Sequence, residues 1–218
     1  MGPMRARLAV LVLLGSCAAP PPAPPPAPPA VDPRREALDV LHTLEAGFED
    51  HWGSVETTAA FRRLSPAHEI PLREIADANG PLALMALRVL DRLPSKEVFT
   101  PEARAHIYAA ALGRETNFTR WGVVGPTGFL PGVYGAELLS LKDAATGPLR
   151  PLLVDRRRAP IRAGRAEEAA NRLQGDRVCD YAWIFLATIH DRPLAYFTDS
   201  ARRDEAIRRF DLWLDRRK

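Results

Sequence analysis

The feature that most constrains this chain is a tract made almost entirely of proline and alanine, from Ala18 to Ala30. Proline fixes the backbone φ angle near −65° and removes the amide donor, so neither a helix nor a strand ladder can form there. The tract should adopt polyproline II geometry and reach about 40 Å at about 3.1 Å per residue. It therefore predicts a stiff spacer without packed structure. A ligand for a proline-recognition module is the alternative.

Residues 1–16 precede this spacer and have the features of an export signal. Arg5 and Arg7 form a positive start, and the apolar run Leu8–Leu14 follows them. This run is far shorter than the ~20 residues that a membrane-spanning helix needs. A positive start, a short apolar run and small residues at its end are typical of a secretory signal peptide.

The end of the apolar run is more specific. The sequence Leu14-Gly15-Ser16-Cys17 resembles the lipobox of bacterial lipoproteins, in which an apolar residue and two small ones precede the cysteine that becomes lipidated. The resemblance implies cleavage after Ser16 and several acyl chains on Cys17, which would hold the protein stably at a membrane. Ala18 in place of Asp favours the outer membrane, facing the periplasm, if the host sorts lipoproteins as enterobacteria do. An ordinary signal peptide with a chance cysteine, or an uncleaved anchor, is the alternative.

Charge gives no indication of a nucleic-acid partner. The formal net charge of the whole chain is +3, and removal of residues 1–16 would leave about +1. The basic runs Arg156–Arg158 and Arg216–Lys218 are local, and such runs are typical of solvated turns and helix ends. We therefore expect no binding to nucleic acid.

The remainder, residues 34–218, has the length of a single domain, and residues 17–33 form the lipidated cysteine and its tether. Apolar residues recur at helical spacing almost throughout, so the sequence predicts an all-α fold after a disordered Pro/Ala tether. Asp32 is a candidate N-cap before Pro33, and Thr100 and Asp199 mark the starts of two later helices. The predicted helices are Pro33–Phe48, Val55–Leu64, Pro71–Ala78, Pro81–Leu90, Thr100–Gly113, Val133–Leu141, Leu149–Leu153, Ala166–Leu173, Asp176–Ile189 and Asp199–Leu214.

Two of these helices carry most of the fold prediction. The helix that follows Gly175-Asp176 is apolar nearly all round, which predicts a central, buried position. Cys179 lies in it and is expected to be a small buried hydrophobe rather than a reactive thiol. The closing helix should turn an apolar face inward, and its arginines at positions 202, 203, 208 and 209 should point outward.

Arg177 and Asp180 stand three residues apart at the start of the central helix. They predict a local ion pair favoured by the helix N-terminus. Alternatively, Asp180 holds the basic segment 156–165, which could form a small hairpin, against this helix.

The segment from about residue 134 to 189 resembles the HEAT-like helical repeat proteins of bacteria. The resemblance rests on Glu137–Leu141 and on Leu149–Asp155, where the second helix of a hairpin ends in a Leu-Leu-x-Asp-type turn. It implies a compact domain of the α–α superhelix type, and it implies binding or scaffolding rather than catalysis. No second copy is clear before Gly113, so an extended solenoid is not expected.

Residues 114–132 form the longest stretch without helical periodicity. Glycines and prolines alternate there with apolar residues, and a loop of this length usually has structure or function of its own. It is either a packed connection across the end of the helices or a rim over a groove. In the second case Phe118, Arg120, Trp121 and Phe129 are the expected contacts for a partner.

The sequence offers no clear catalytic constellation. The five histidines have no metal-ligand spacing, and no nucleophile elbow or phosphate loop is present. We therefore expect no catalytic residue, metal or cofactor, and a membrane-anchored envelope lipoprotein that binds or scaffolds another envelope protein. A cell-envelope hydrolase with its site under the 114–132 loop, using carboxylates such as Glu115, is the alternative. A structural lipoprotein with no groove is a third possibility.

Overall fold

The structure of the protein is a computed structural model that describes residues 32–47, 55–93, 99–125, 128–162, 164–194 and 197–217. The chain divides into Met1–Ala30 and Val31–Lys218, and all described residues belong to the second unit. The predicted leader, the lipidation site Cys17 and the Pro/Ala tether therefore lie outside the described residues, as does Phe48.

The described residues are predominantly helical, as the periodicity predicts, with one antiparallel hairpin. Helix boundaries mostly fall within a few residues of the predicted ones. The elements are α1 Pro33–Gly47, α2 Val55–Arg63, α3 Glu69–Asp77, α4 Ala83–Leu90, α5 Pro101–Arg114, β1 Gly122–Gly125, β2 Gly128–Pro131, α6 Val133–Ser140, α7 Thr146–Leu149, α8 Arg165–Gln174, α9 Val178–Ile189 and α10 Ser200–Asp215.

Side-chain caps stand at three of the predicted helix starts, including the predicted cap Asp32. Thr100 accepts a hydrogen bond from the Ala103 amide at 3.2 Å, and Asp199 accepts one from the Ala201 amide at 2.9 Å. Asp32 accepts one from the Arg34 amide at 3.0 Å. Each side chain satisfies an amide that has no partner within its own helix, so these starts are encoded locally.

Helix α9 is the centre of the domain. Every residue from Val178 to Ala187 is buried, which confirms the prediction from its all-round apolar sequence. Cys179 is fully buried among them, and burial raises the pKa of its thiol. It is a core residue in this fold.

The 114–132 segment folds into a 3-10 turn at Phe118–Arg120 followed by the β1–β2 hairpin, which sequence periodicity did not predict. Val123 pairs with Leu130 and Val124 with Phe129 in the hairpin register. The Phe118 amide donates to the carbonyl oxygen of Pro160 at 2.8 Å. A Cβ at Gly132 would lie 2.3 Å from the Arg120 carbonyl oxygen, so glycine is needed at the residue that directly follows β2.

The helix predicted at Leu149–Leu153 is misplaced, since the α-helix in this region is α7, Thr146–Leu149. Pro148 lies inside α7, between 3-10 turns at Lys142–Ala145 and Arg150–Val154. Proline is compatible with a first helical turn because no intrahelical hydrogen bond needs its amide.

The described part of the basic segment, residues 156–162, contains no helix and docks onto the start of α9, where Arg158 forms an isolated antiparallel bridge with Arg177. The Val178 amide donates to Arg157 and the Cys179 amide to Asp155, both at 2.9 Å. Asp180 instead accepts from its neighbour Arg177 at 3.0 Å, which confirms the local pair. The backbone therefore holds this segment in place.

Within the described ranges, no helix is both long and apolar enough to cross a membrane.

Candidate functional site

A groove of about 730 Å³ runs between the C-terminal half of α9 and helix α10. We call it the α9–α10 groove. Its floor and walls are mainly apolar, and charged side chains line its edges. The apolar part of its lining includes Trp183, Ala187, Ala206, Phe210 and Trp213, and the charged part consists of Arg192, Arg202, Glu205 and Arg209.

Helical spacing explains how the groove arises. Residues 202, 206, 209 and 213 recur every three or four positions, so they share one side of α10. On α9, Trp183 and Ala187 are four residues apart and form the opposite wall. Ala187 and Ala206 are too small to fill the space between the helices, so an apolar channel is left open to solvent.

The aromatic wall of the groove is held by cations. The guanidinium of Arg192 lies 4.9 Å from the centroid of the Trp213 ring, and that of Arg217 lies 5.1 Å from it. The Phe210 ring is 5.4 Å from the Trp213 ring. Cation–π contacts of this kind contribute about 0.5–1 kcal/mol each when exposed, so the ring is held in place while still half-exposed.

The charges along the groove are mostly positive. Glu205 accepts from Arg209 at 2.6 Å and from Arg208 at 2.7 Å, and these bonds lower the pKa of its carboxyl. Arg202 lies 4.0 Å from Asp199. With three arginines and one glutamate among the lining residues, the groove attracts anionic groups.

A second cavity, of about 810 Å³, lies where α10 faces α7 and the turns around it, and we call it the His190 cavity. The nearly buried His190 ring has its Nε2 3.0 Å from the Thr146 hydroxyl and its Nδ1 2.8 Å from a guanidinium nitrogen of Arg217. Its edge faces Trp213, with ring centroids 5.6 Å apart. Burial first, and then the Arg217 charge, lowers the pKa of His190.

The His190–Thr146 contact has the spacing of a base and a nucleophile, but the proton is on the wrong nitrogen. A guanidinium can only donate, so Nδ1 accepts from Arg217 and the neutral ring carries its proton on Nε2. Nε2 therefore donates to Thr146 and cannot take a proton from the hydroxyl. A general base acting on this hydroxyl would need the opposite tautomer.

A buried ion network anchors α10 beside the groove. The Arg203 side chain is fully buried, and its Nε lies 3.3 Å from Asp180. Its Nη2 donates to the Gln174 carbonyl at 2.8 Å and its Nη1 to the Phe197 carbonyl at 2.9 Å. The prediction that Arg203 points outward is therefore wrong, although Arg202, Arg208 and Arg209 are exposed as predicted.

The spacing of α10 carried a signal for this burial. Arg203 is four, seven and eleven residues before Ile207, Phe210 and Leu214, all of which are buried. It therefore belongs to the inward stripe of the helix. Arginine is usually exposed, so the sequence favoured an outward position for Arg203. The carboxylates that compensate its charge come from other parts of the chain and are not visible in the α10 sequence.

A second ion cluster joins α4, α5 and α6. Tyr108 donates to the Glu137 carboxylate at 2.5 Å, and Arg88 also pairs with that carboxylate. Arg104 binds both oxygens of Asp91, at 2.6 and 2.7 Å. Burial raises the pKa of Tyr108 to about 12. These pairs fasten helices to one another within the part of the chain that is described.

The four residues predicted to contact a partner lie in or beside a cluster of rings under the hairpin. We call Phe118, Trp121, Phe129, Tyr181 and Phe185 the inner aromatic cluster. Phe118 and Trp121 are fully buried, whereas Phe129 and Arg120 are half-buried. Phe118 lies 4.8 Å from Tyr181, and Phe129 lies 5.3 Å from Phe185. Arg120 donates to the Tyr134 hydroxyl at 2.8 Å.

Glu115, the carboxylate proposed for a hydrolase, is occupied within the same segment. It accepts from the amides of Thr116 and Asn117 at 2.7 and 2.8 Å, and from the Trp121 indole at 3.4 Å. These bonds order the start of the loop. Such an arrangement gives no support to a role as a general acid.

The described residues contain no group of three or more His, Cys, Asp and Glu side chains that could hold a metal ion. Comparison of the chain with protein-family models, with curated proteins and with solved structures finds no match. The groove is therefore the feature that bears on function. Its α10 residues fall within the predicted closing helix, but the groove itself depends on how α9 and α10 pack.

Proposed function

We propose that this protein is a membrane-anchored lipoprotein of the cell envelope whose helical domain binds another envelope protein through the α9–α10 groove. The observation that carries the proposal is the groove: half-exposed Trp213, flanked by arginines, beside a floor of Phe210 and Trp183. Tryptophan, phenylalanine and arginine are enriched at protein interfaces, and tryptophan and arginine supply most binding hot spots.

The sequence supports the anchoring half of the proposal. Leu14–Cys17 resembles a lipobox, and the Pro/Ala tract that follows reaches about 40 Å as polyproline II. We propose lipidation of Cys17 and attachment to the outer membrane, with the domain in the periplasm. The partner would then lie within that reach of the membrane surface.

We further propose that the domain is a divergent HEAT-like fold of the α–α superhelix type. Consecutive helices pack in pairs, α1 with α2 and α3 with α4, which supports this assignment. The short turns from Lys142 to Val154, within the segment that resembles HEAT repeats, replace what would be a regular two-helix hairpin.

Binding is better supported than hydrolysis. The pair with nucleophile–base spacing, Thr146 and His190, has its shared proton on the histidine. Glu115 is engaged by three donors of its own loop. The groove, in contrast, offers an open apolar surface and no convergent titratable pair.

Anchoring is tested by replacing each cysteine in turn. Cys17→Ala should release the protein into the soluble fraction of lysed cells, whereas Cys179→Ala should leave it with the membranes. Fractionation and immunoblotting measure both, and a mass spectrum of the mature N-terminus identifies the acyl groups. Retention of Cys17→Ala on membranes would contradict lipid anchoring.

Groove binding is tested by placing a photo-crosslinking amino acid at Ala206 in intact cells. Ala206 lines the groove, whereas the nearby Arg208 is exposed on α10 outside it. We expect a discrete crosslinked protein from position 206 and none from position 208. The absence of a specific product at position 206, with the protein folded and anchored, would overturn the groove as the binding site.

A further inference from the structure

We infer that the α9–α10 groove takes an acidic amphipathic helix from its partner. This inference rests on the proposed function and adds the chemistry of the bound segment. Three features support it: the length of the groove along α10, the distribution of its charges and the fixed position of the Trp213 ring.

The length of the groove fits about three helical turns. Its α10 side runs from Arg202 to Trp213, which is about 16 Å at the 1.5 Å rise per residue of a helix. The channel lies between two helices and is narrowed by no large side chain at Ala187 or Ala206. A third helix can therefore lay its apolar residues, spaced at i, i+3, i+4 and i+7, beside the half-buried Trp213 and over the small exposed parts of Phe210 and Trp183.

The charges are spread along the whole groove. Arg202 stands at one end of the stripe, Arg209 about two turns further, and Arg192 over Trp213 at the other end. A complementary ligand must carry several carboxylates along its length. A lipid carries its charge at one end only, so this distribution favours a polypeptide with acidic residues flanking its apolar stripe.

The aromatic wall is fixed before any partner arrives. Arg192 and Arg217 both stack on the Trp213 ring, and His190 meets it edge to face at 5.6 Å. A ring held in this way loses little conformational freedom on binding, which favours affinity. It also places Arg192 at the groove edge, where an acidic side chain of the partner can reach it.

The test uses two synthetic 18-residue helices with the same leucine face, one flanked by glutamates and one by lysines. Each is titrated into the purified full chain in nonionic detergent, with empty micelles as the blank. Calorimetry and tryptophan fluorescence measure binding. We expect the glutamate helix to bind at least about tenfold more tightly, and its affinity to fall as salt is raised.

Arg209→Glu and Arg208→Glu are matched variants, because both residues are exposed on α10 and both bond Glu205. Only Arg209 lines the α9–α10 groove. We expect Arg209→Glu to weaken the glutamate helix by at least about fivefold and Arg208→Glu by less than about twofold. Ala206→Trp, which fills the channel, should abolish binding, and thermal unfolding checks that each variant is folded.

Several results would overturn the inference. These are equal affinity for the two helices, no binding of either, or equal losses in the two arginine variants. Binding of phosphatidylglycerol vesicles that depends on Arg209, without peptide binding, would identify a lipid surface instead. If a protein is still captured through position 206, the groove remains a binding site and only the acidic helix is excluded.

Discussion

The inner aromatic cluster and the α9–α10 groove are both built on α9 from aromatic residues, yet they have opposite relations to solvent. Trp121 is fully buried, and its ring lies 6.2 Å from Phe185 and 6.3 Å from Tyr108. Trp213 is half-exposed and contacts guanidinium groups. The apolar surface of the Trp121 ring is buried against other residues of the same domain. In the groove, part of the Trp213 surface stays accessible to solvent.

Arginines differ between these regions in the same way. Arg202 is exposed at the edge of the groove, whereas its neighbour Arg203 is buried against Asp180. A rim arginine contributes to the rate and specificity of association, whereas a buried one holds the fold together. Two consecutive arginines of α10 therefore have different roles, Arg202 at the groove edge and Arg203 in the core.

The largest effect that tests this comparison is expected for tryptophan. Trp121→Ala should cost about 3–5 kcal/mol of unfolding free energy, because a large buried ring leaves a cavity. Trp213→Ala should cost only about 1 kcal/mol and should weaken binding of the acidic helix. Urea unfolding followed by circular dichroism measures both. Equal losses would show that the groove wall is part of the core.

The neighbouring arginines give the next comparison. Arg203→Met should cost about 3 kcal/mol, because it leaves the buried carboxylates of Asp176 and Asp180 without this cation. Arg202→Met should stay within about 0.5 kcal/mol, as is usual for an exposed site. The same unfolding titration distinguishes them. A neutral Arg203→Met would mean that the network contributes little to stability.

Backbone packing under the hairpin should give a smaller effect. A Cβ at Gly135 would lie 2.0 Å from the Trp121 carbonyl oxygen, so Gly135→Ala should cost about 1–3 kcal/mol. Gly147, in α7, has open space around it and is the matched control. Gly147→Ala should be neutral or stabilising by up to about 1 kcal/mol. Thermal unfolding of the two variants measures the difference.

The smallest effect concerns pH. The pKa of His190 is lowered in the folded protein, so the unfolded chain binds more protons below about pH 6.5. The stability contributed by neutral His190 is present above that pH and is lost as the pH falls towards its lower folded pKa. Unfolding free energies measured from pH 7.5 to 5.5 should therefore decline.

His190→Gln should make this decline shallower, because glutamine cannot take up the proton. The exposed His106 provides the control, and His106→Gln should keep the wild-type slope. Identical slopes in all three proteins would show that the Arg217–His190–Trp213 contacts do not respond to pH.

Sequence patterns predicted the helices well where the signals are local. Asp32 caps the helix that it was expected to cap, Thr100 and Asp199 stand at predicted helix starts, and the uninterrupted apolar run in α9 predicted its burial. The β1–β2 hairpin was not predicted, and a packed Trp121 was one of two open alternatives, because both features depend on contacts with α9 that are distant in sequence. The apolar character of Phe118 and Trp121 indicated only that these side chains contact other groups, either within the domain or on a partner.

The sequence alone therefore determined where most helices begin and end and which of them is central, since capping and periodicity are properties of neighbouring residues. It also predicts a lipobox-like leader and a stiff spacer, both outside the described residues. Only the tertiary structure decided that Arg203 is buried, because its compensating carboxylates and carbonyls come from outside α10. It also decided that Ala187 and Ala206 line one groove, because that space exists only between two packed helices.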